Sequence, residues 1–247
     1  MRNYFDLRGK VALVTGGSRG LGLAISRAFA EQGAAVIIAS RKVENCDAAA
    51  REIVQSGGEA IGVGAHVGKW DEIQRLADKA YDAFGKVDIL VNNAGMSPLS
   101  DSSLLTEESL FDKVLAVNFK GPFRLTAICA SRMAEGAGGS VINITSIGSI
   151  RPLPQYAPYA GAKAALNALT IAHAFEYAPK VRVNAILPGS FKTDIAKHWP
   201  AEKASNIVSA IKRYGEPDEI VSTALYLASD ASSFTTGALI RVDGGRP

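Results

Sequence analysis

Short, uninterrupted apolar runs alternate with longer stretches of helical periodicity along this chain. That alternation constrains the fold more than any other feature. The runs are Lys10–Thr15, Ala35–Ser40, Ala60–Val67, Val87–Asn92, Ser140–Thr145, Val181–Leu187 and Ala238–Val242. They are rich in Val, Ile, Leu and Ala and do not alternate with polar residues, so each predicts a strand covered on both faces, as in a parallel sheet. Between them, Leu21–Gln32, Val43–Gln55, Trp70–Phe84, Ser109–Met133, Pro158–Tyr177 and Pro217–Ser229 read as helices. Gly33, Gly57-Gly58 and Gly85 are helix stops, Pro122 predicts a bend in the long fourth helix, and Pro217 opens the last one. Phe191–Tyr214 is polar and reads as partly helical. This order predicts an α/β fold: a single doubly wound parallel sheet of about seven strands with helices on both faces. No linker, repeat or low-complexity tract divides residues 1–247, so one domain is expected.

Composition excludes several classes. Hydrophobic residues make up 47% of the 247-residue chain, enough for a large core. The net charge of +3 is spread along the chain with no basic block, so no nucleic-acid partner is expected. No apolar run reaches the ~18 residues a membrane span needs, and the start, Met1 to Arg8, has no apolar signal core. Cys46 and Cys129 form no Cys-x-x-Cys motif, which predicts a reduced, cytoplasmic protein. His66, His173 and His198 lack ligand spacing, so no metal site is expected.

Between the first strand and first helix stands Thr15-Gly-Gly-Ser-Arg-Gly-Leu-Gly22. Gly16, Gly20 and Gly22 allow a tight turn and let a pyrophosphate approach backbone amides at a helix start, the arrangement of a Rossmann-like dinucleotide site. The spacing is Gly-x-x-x-Gly-x-Gly. Where an acid for the ribose 2′-hydroxyl would stand, the second strand ends in Ser40 followed by Arg41, and Arg19 lies in the glycine turn. Two guanidinium groups without a carboxylate suit a 2′-phosphate, so the cofactor expected is NADP(H). Two solvated surface arginines are the plainer reading of the same residues.

Tyr159 and Lys163 are four residues apart and share a face if the segment is helical. A lysine cation beside a phenol favours the phenolate; bringing a tyrosine from ~10 to neutrality takes roughly 4 kcal/mol. Such a tyrosine can exchange a proton with an alcohol or carbonyl. Ser146 closes the fifth apolar run and brings a hydroxyl to the carboxyl end of a strand, where open α/β sheets hold ligands. By spacing alone, the Tyr-x-x-x-Lys pair is equally a surface pair on an amphipathic helix.

From Lys10 to Gly245 the chain resembles the short-chain dehydrogenase/reductase family. The resemblance rests on the turn Thr15–Gly22, Asn92-Asn-Ala-Gly95, Asn118 in Asn-Phe-Lys-Gly, Ser146, Tyr159, Lys163, and Pro188-Gly189 with Thr193 beyond. It implies that Ser146 holds the substrate oxygen, Tyr159 is the acid/base, Lys163 tunes Tyr159 and binds the nicotinamide ribose, and Asn118 holds a relay water. It also makes Ser18 and Leu21 of the glycine turn cofactor-binding, places His66-Val67 at the adenine and Asn93-Ala94-Gly95 on the adenosine side, and puts Pro188, Gly189, Phe191 and Thr193 on the nicotinamide side. His66 stands where the family usually has an acid that contacts adenine. The resemblance further implies a homotetramer, to which the strongly apolar Ser109–Met133 and Pro158–Tyr177 helices also point.

The residues therefore argue for hydride transfer between NADP(H) and a small carbonyl or secondary-alcohol substrate. The other readings are a cofactor-binding sensor or scaffold without turnover, and a dehydratase or epimerase using the same tyrosine. The substrate pocket is expected to draw on Ser97, Ile147–Tyr156 and Ser190–Trp199, including Leu153, Tyr156, Phe191 and Trp199, with Arg151 and Lys192 as candidate anion holders.

Overall fold

Seven apolar runs pair into one parallel sheet in the computed structural model, which describes residues 3–193 and 209–246. The strands are β1 Val11–Thr15, β2 Ala35–Ser40, β3 Glu59–Gly64, β4 Ile89–Asn92, β5 Gly139–Ile144, β6 Val181–Pro188 and β7 Leu239–Val242. Their order is β3-β2-β1-β4-β5-β6-β7, with every pair parallel. The direction of winding reverses between β1 and β4, so a crevice opens at the carboxyl ends of those strands.

The absence of polar alternation is explained by the two cores. Side chains alternate across a strand, so Ala12 and Val14 of β1 enter one core with Val36 and Ile38 of β2. Val11, Leu13, Ala35, Ile37 and Ala39 enter the other. Helices α1 (Gly20–Glu31) and α2 (Val43–Gln55) cover the first face, supplying Ile25, Phe29 and Ile53. Helices α3 (Trp70–Phe84) and α5 (Gly121–Glu135) cover the second, with Ile73, Leu76, Leu125 and Met133. Helix α6 (Ala157–Glu176) lies on the second face, and α7 (Val221–Ala228), entered through a 3₁₀ turn at Pro217–Ile220, lies on the first. Gly85 ends α3 in the left-handed region at φ 73°, its N–H on the Tyr81 carbonyl.

Two expectations are corrected. The third strand stops at Gly64, short of Val67, because the Glu72 carboxylate takes the His66 N–H at 2.7 Å and turns the chain off the ladder. The long fourth helix is broken by a π turn, Ala116–Lys120, between α4 (Glu108–Leu115) and α5, and the break lies before Pro122 rather than at it. Pro122 sits in the first turn of α5, where a missing N–H costs little, and the widened turn absorbs the donor it lacks. Most of the Phe191–Tyr214 stretch, with His198 and Trp199, lies outside the described residues. Both cysteines are free and buried. Among the described residues no helix is long and apolar enough to cross a membrane.

Candidate active site

A cavity of about 1280 Å³ occupies the crevice at the carboxyl ends of the strands. Its floor at one end is the glycine turn. Gly16 and Gly20 adopt φ 64° and 54°, a region that side chains rarely enter. A Cβ on Gly16 would lie 2.8 Å from Asn93 Nδ2, which itself donates to the carbonyls of Thr15 and Gly16 at 2.9 and 3.1 Å. Gly22 lies behind the cavity wall: a Cβ there would meet the Gly16 carbonyl oxygen at 2.3 Å, so this glycine lets helix α1 pack against its own entry turn. Arg19 is the N-cap of α1 and gives the helix no side-chain cap, and the first turn holds no acid. The leading amides of α1 are therefore open to an anion, with the helix dipole behind them.

The same end is lined by Ser18, Arg19, Leu21, Ser40 and Arg41. Ser18 Oγ donates to Ser40 Oγ at 3.0 Å, and Ser40 Oγ lies 3.0 Å from the buried Cys46 sulfur. Arg41 is exposed and makes no ion pair among the described residues. Among the described residues, the only carboxylates lining the cavity are Glu219 and Asp243, and both belong to other neighbourhoods: Glu219 takes two 2.6 Å bonds from Arg213, and Asp243 is held by Arg241. The donor set thus fits a phosphorylated ribose better than a free diol. His66, Val67, Asn93, Ala94 and Gly95 form the adjoining wall. The His66 ring accepts the Gly68 N–H on Nδ1 at 3.0 Å, which leaves Nε2 as its donor.

At the other end stand Ser146, Tyr159 and Lys163, brought together by β5 and α6. Ser146 follows β5 directly and its Oγ accepts the Gly148 N–H at 3.0 Å, so the hydroxyl proton is left to donate elsewhere. Asn167 of α6 braces this loop through Ser149 Oγ at 2.7 Å, and Ser149 Oγ holds the Ser146 carbonyl at 2.6 Å. The Tyr159 phenol stands beside the Ser146 hydroxyl in the same cavity. Lys163 is 3% exposed, its Nζ donating to the Ile144 carbonyl at 2.8 Å and lying 5.9 Å from the Tyr159 ring centre. The plainer reading of this pair as a surface pair does not survive that burial.

The electrostatics correct one expectation. Burial pushes the Tyr159 phenol above the ordinary tyrosine range, with the Ser146 hydroxyl opposing it and Tyr156 adding to it. Burial also pushes the Lys163 ammonium down to about 7. A lysine that surrenders its own proton near neutrality is a weak source of fixed positive charge, so burial outweighs Lys163 at Tyr159. The phenol is held as an acid.

Asn118 does not line the cavity; it sits in the π turn, fully buried. Its amide is committed, Nδ2 donating to the Met96 and Val114 carbonyls at 2.9 Å each and Oδ1 accepting the Met96 N–H at 3.2 Å. A Cβ on Gly95 would fall 2.9 Å from Asn118 Oδ1 and 3.5 Å from Lys163 Nζ, so Gly95 keeps the gap between them open.

Pro188, Gly189, Phe191 and Thr193 line the cavity opposite, with Thr193 facing Gly20. Leu153 and Tyr156 line the substrate end as expected, as does Ser97. Arg151 and Lys192 do not line it, and Lys192 is paired with Glu216 instead. Arg246 and Asp243, which no motif singled out, do line it. No group of three or more metal-ligating side chains occurs among the described residues.

The chain is similar in sequence and fold to known proteins. Residues 16–246 match the family model described as enoyl-(acyl carrier protein) reductase. Dehydrogenase/reductase SDR family member 4 of Homo sapiens is 37% identical over 246 residues, covering 98% of this chain and 88% of that protein. The 3-oxoacyl-[acyl-carrier-protein] reductase of Thermotoga maritima is 35% identical over 243 residues, covering 97% and 98%. Among solved structures, a putative short-chain alcohol dehydrogenase from Sinorhizobium meliloti superposes with a TM-score of 0.94 at 34% identity, covering 99% and 98%. An NADPH-dependent 3-quinuclidinone reductase from Rhodotorula rubra does so at 0.92 and 29%, covering 98% and 93%. By its fold, its site and these matches over nearly its whole length, the chain belongs to the short-chain dehydrogenase/reductase family.

Proposed function

We propose that residues 1–247 act as one dinucleotide-binding and catalytic domain, an NADP(H)-dependent oxidoreductase that interconverts a ketone or aldehyde and its alcohol in the cytoplasm. The observation that carries this reading is the Ser146–Tyr159 pair at the end of β5, in one cavity with the carboxylate-free Ser40–Arg41 end. Two adjacent hydroxyl donors suit a carbonyl oxygen, which accepts two hydrogen bonds, and give nothing to a carbon–carbon double bond. The names of the Thermotoga and Rhodotorula relatives point to carbonyl reduction as well.

NADPH, when bound, would supply the hydride. The α1 amides would hold its pyrophosphate, and Ser18, Arg19, Ser40 and Arg41 the 2′-phosphate. His66, Val67 and Asn93–Gly95 would enclose the adenosine, and Pro188–Thr193 the nicotinamide. Ser146 and Tyr159 fix the substrate oxygen, and Tyr159 gives it a proton as the carbonyl carbon is reduced. By the family resemblance, Lys163 would also hold the nicotinamide ribose, and Asn118 a water through which Tyr159 is reprotonated. Because burial favours the protonated phenol, ketone reduction should stay level from about pH 6 to 8, while alcohol oxidation should rise with pH.

Loss of NADPH absorbance with a panel of ketones and aldehydes tests the reading; binding without turnover across the panel would favour a sensor or scaffold. NADPH should be preferred to NADH. Arg41→Ala should cost about 10- to 100-fold in NADPH affinity, the worth of a charged hydrogen bond, and Ser40→Asp should move the preference toward NADH. Equal wild-type affinity for both cofactors would refute the 2′-phosphate assignment.

We further propose a homotetramer. Phe111 and Phe123 beside the π turn, and Ile171 and Phe175 on α6, are exposed, Phe175 by 83%. On the far side, β7 is an open edge carrying exposed Leu239, with Phe234 fully exposed nearby. Two separate apolar faces suit two isologous interfaces. Light scattering at micromolar protein should give four copies, and Phe175→Glu should halve the mass. A wild-type monomer would overturn the assignment.

A further inference from the structure

The substrate end of the cavity holds a cation that the reaction does not use. The chain's tail folds back there. Asp243 Oδ2 accepts two bonds from Arg241 at 2.9 and 2.7 Å, and its Oδ1 accepts the Gly245 N–H at 3.0 Å. Arg241 also donates to the Arg246 carbonyl, and the Gly244 and Gly245 carbonyls accept the Ile211 and Ala210 N–H groups at 3.1 Å each. Gly244 and Gly245 sit at φ 67° and 74°, which lets the backbone make this return. The clasp delivers the Arg246 side chain to the cavity wall beside the Tyr156 phenol, whose ionised form its charge favours.

Tyr156 is the direct neighbour of the reacting groups. Its ring stands 6.0 Å from that of Tyr159, edge to face. A Cβ built on Gly148 would lie 3.2 Å from Ser146 Oγ and 3.6 Å from the Tyr156 hydroxyl, so the two hydroxyls flank one small space. The guanidinium is thus one phenol away from the place where a carbonyl oxygen would bind. The other charged groups near it are satisfied: Arg213 by Glu219, and Asp243 by Arg241. Arg246 makes no ion pair among the described residues. A planar guanidinium with spare donors, beside a site for a carbonyl, matches a carboxylate.

We infer that Arg246 is a specificity residue, selecting carbonyl substrates that carry a carboxylate a few bonds from the reacting carbon. This rests on the carbonyl-reductase reading and narrows its substrate class. Tyr156 would position the guanidinium, and the charge would act on binding more than on the chemical step.

Levulinate and its ethyl ester, with NADPH, test the idea, because they differ in the charge and share the ketone. The wild type should prefer the acid in kcat/KM by at least about 10-fold, mainly through KM. Arg246→Met should lower the acid-to-ester ratio by about 10- to 100-fold, and Arg246→Lys should keep a large part of it. A ratio in Arg246→Met within about twofold of wild type would overturn the assignment, since a merely structural arginine moves both substrates together. If the wild type oxidises NADPH with no carbonyl at all, the reductase reading fails separately. Calorimetric titration of levulinate into the NADP-saturated protein then decides for Arg246. Binding that is weakened in Arg246→Met supports the site, and equal or absent binding in both proteins rejects it.

Discussion

Tyr159→Phe is expected to lower turnover by about 10²- to 10⁴-fold, the usual worth of general acid/base catalysis, while leaving NADPH binding nearly intact. The substitution keeps the ring that packs against Tyr156 and removes only the hydroxyl beside Ser146. Cofactor affinity should survive because the α1 amides, Arg41 and Lys163 are untouched. If the tyrosine acts only in the chemical step, kcat and kcat/KM should fall together, with KM little changed. Steady-state kinetics with any substrate found in the carbonyl panel, alongside a fluorescence titration with NADPH, make the comparison. A variant running near the wild-type rate at pH 7 would eliminate Tyr159 as the proton donor and leave the fold unaffected.

Lys163→Met should show a different pattern: a rate loss of about 10²-fold or more together with weaker cofactor binding, in a protein more stable than the wild type at acid pH. The stability argument follows from the buried amine. An ordinary lysine titrates near 10.5, and burial brings this one to about 7. Below about pH 7 both folded and unfolded chains hold the proton, and the folded state bears the full cost of a buried ammonium, on the order of 5 kcal/mol. Between about 7 and 10.5 only the unfolded chain holds it, so the wild type gains stability as pH rises through that window. Methionine removes the cost at every pH but leaves the Ile144 carbonyl without its 2.8 Å donor, a loss of about 1–3 kcal/mol. The net gain should raise Tm by roughly 3–8 °C at pH 6 and vanish or reverse by pH 10. Thermal melts at matched protein concentration across that range check the sign. A variant less stable than wild type at pH 6 would show that Lys163 is not held against a desolvation cost.

Several features were open to reading before any coordinates. Continuous apolar runs such as Val11–Thr15 and Ala35–Ser40 require cover on both faces, and only a parallel sheet between helix layers supplies it. Helix ends at Gly33, Gly57 and Gly85 were legible because a positive φ is a local demand that glycine meets. The residues Ser18, Ser40, Arg41, Ser146, Tyr159 and Lys163 were legible because each follows a strand or occupies a helix position whose place in an open sheet is set by topology.

What the chain order could not convey were quantities that depend on neighbours distant in sequence. The π turn at Ala116–Lys120 has no local signal in the chain order, and the early end of β3 depends on the Glu72 carboxylate reaching the His66 N–H. The sign of the shift at Tyr159 was misread because spacing reports only that Lys163 is near, whereas burial of both groups decides which proton is held. Arg246 was invisible for the same reason: it is a lone arginine near the end of the chain until the Arg241–Asp243 clasp turns the tail into the cavity. Local sequence thus determined the strands, the helices, the glycine turn and the candidate side chains, because backbone preference and periodicity are local properties. Tertiary structure alone decided the protonation states, the helix break and the charge at the substrate end, because desolvation and hydrogen bonding are set by residues that meet only on folding.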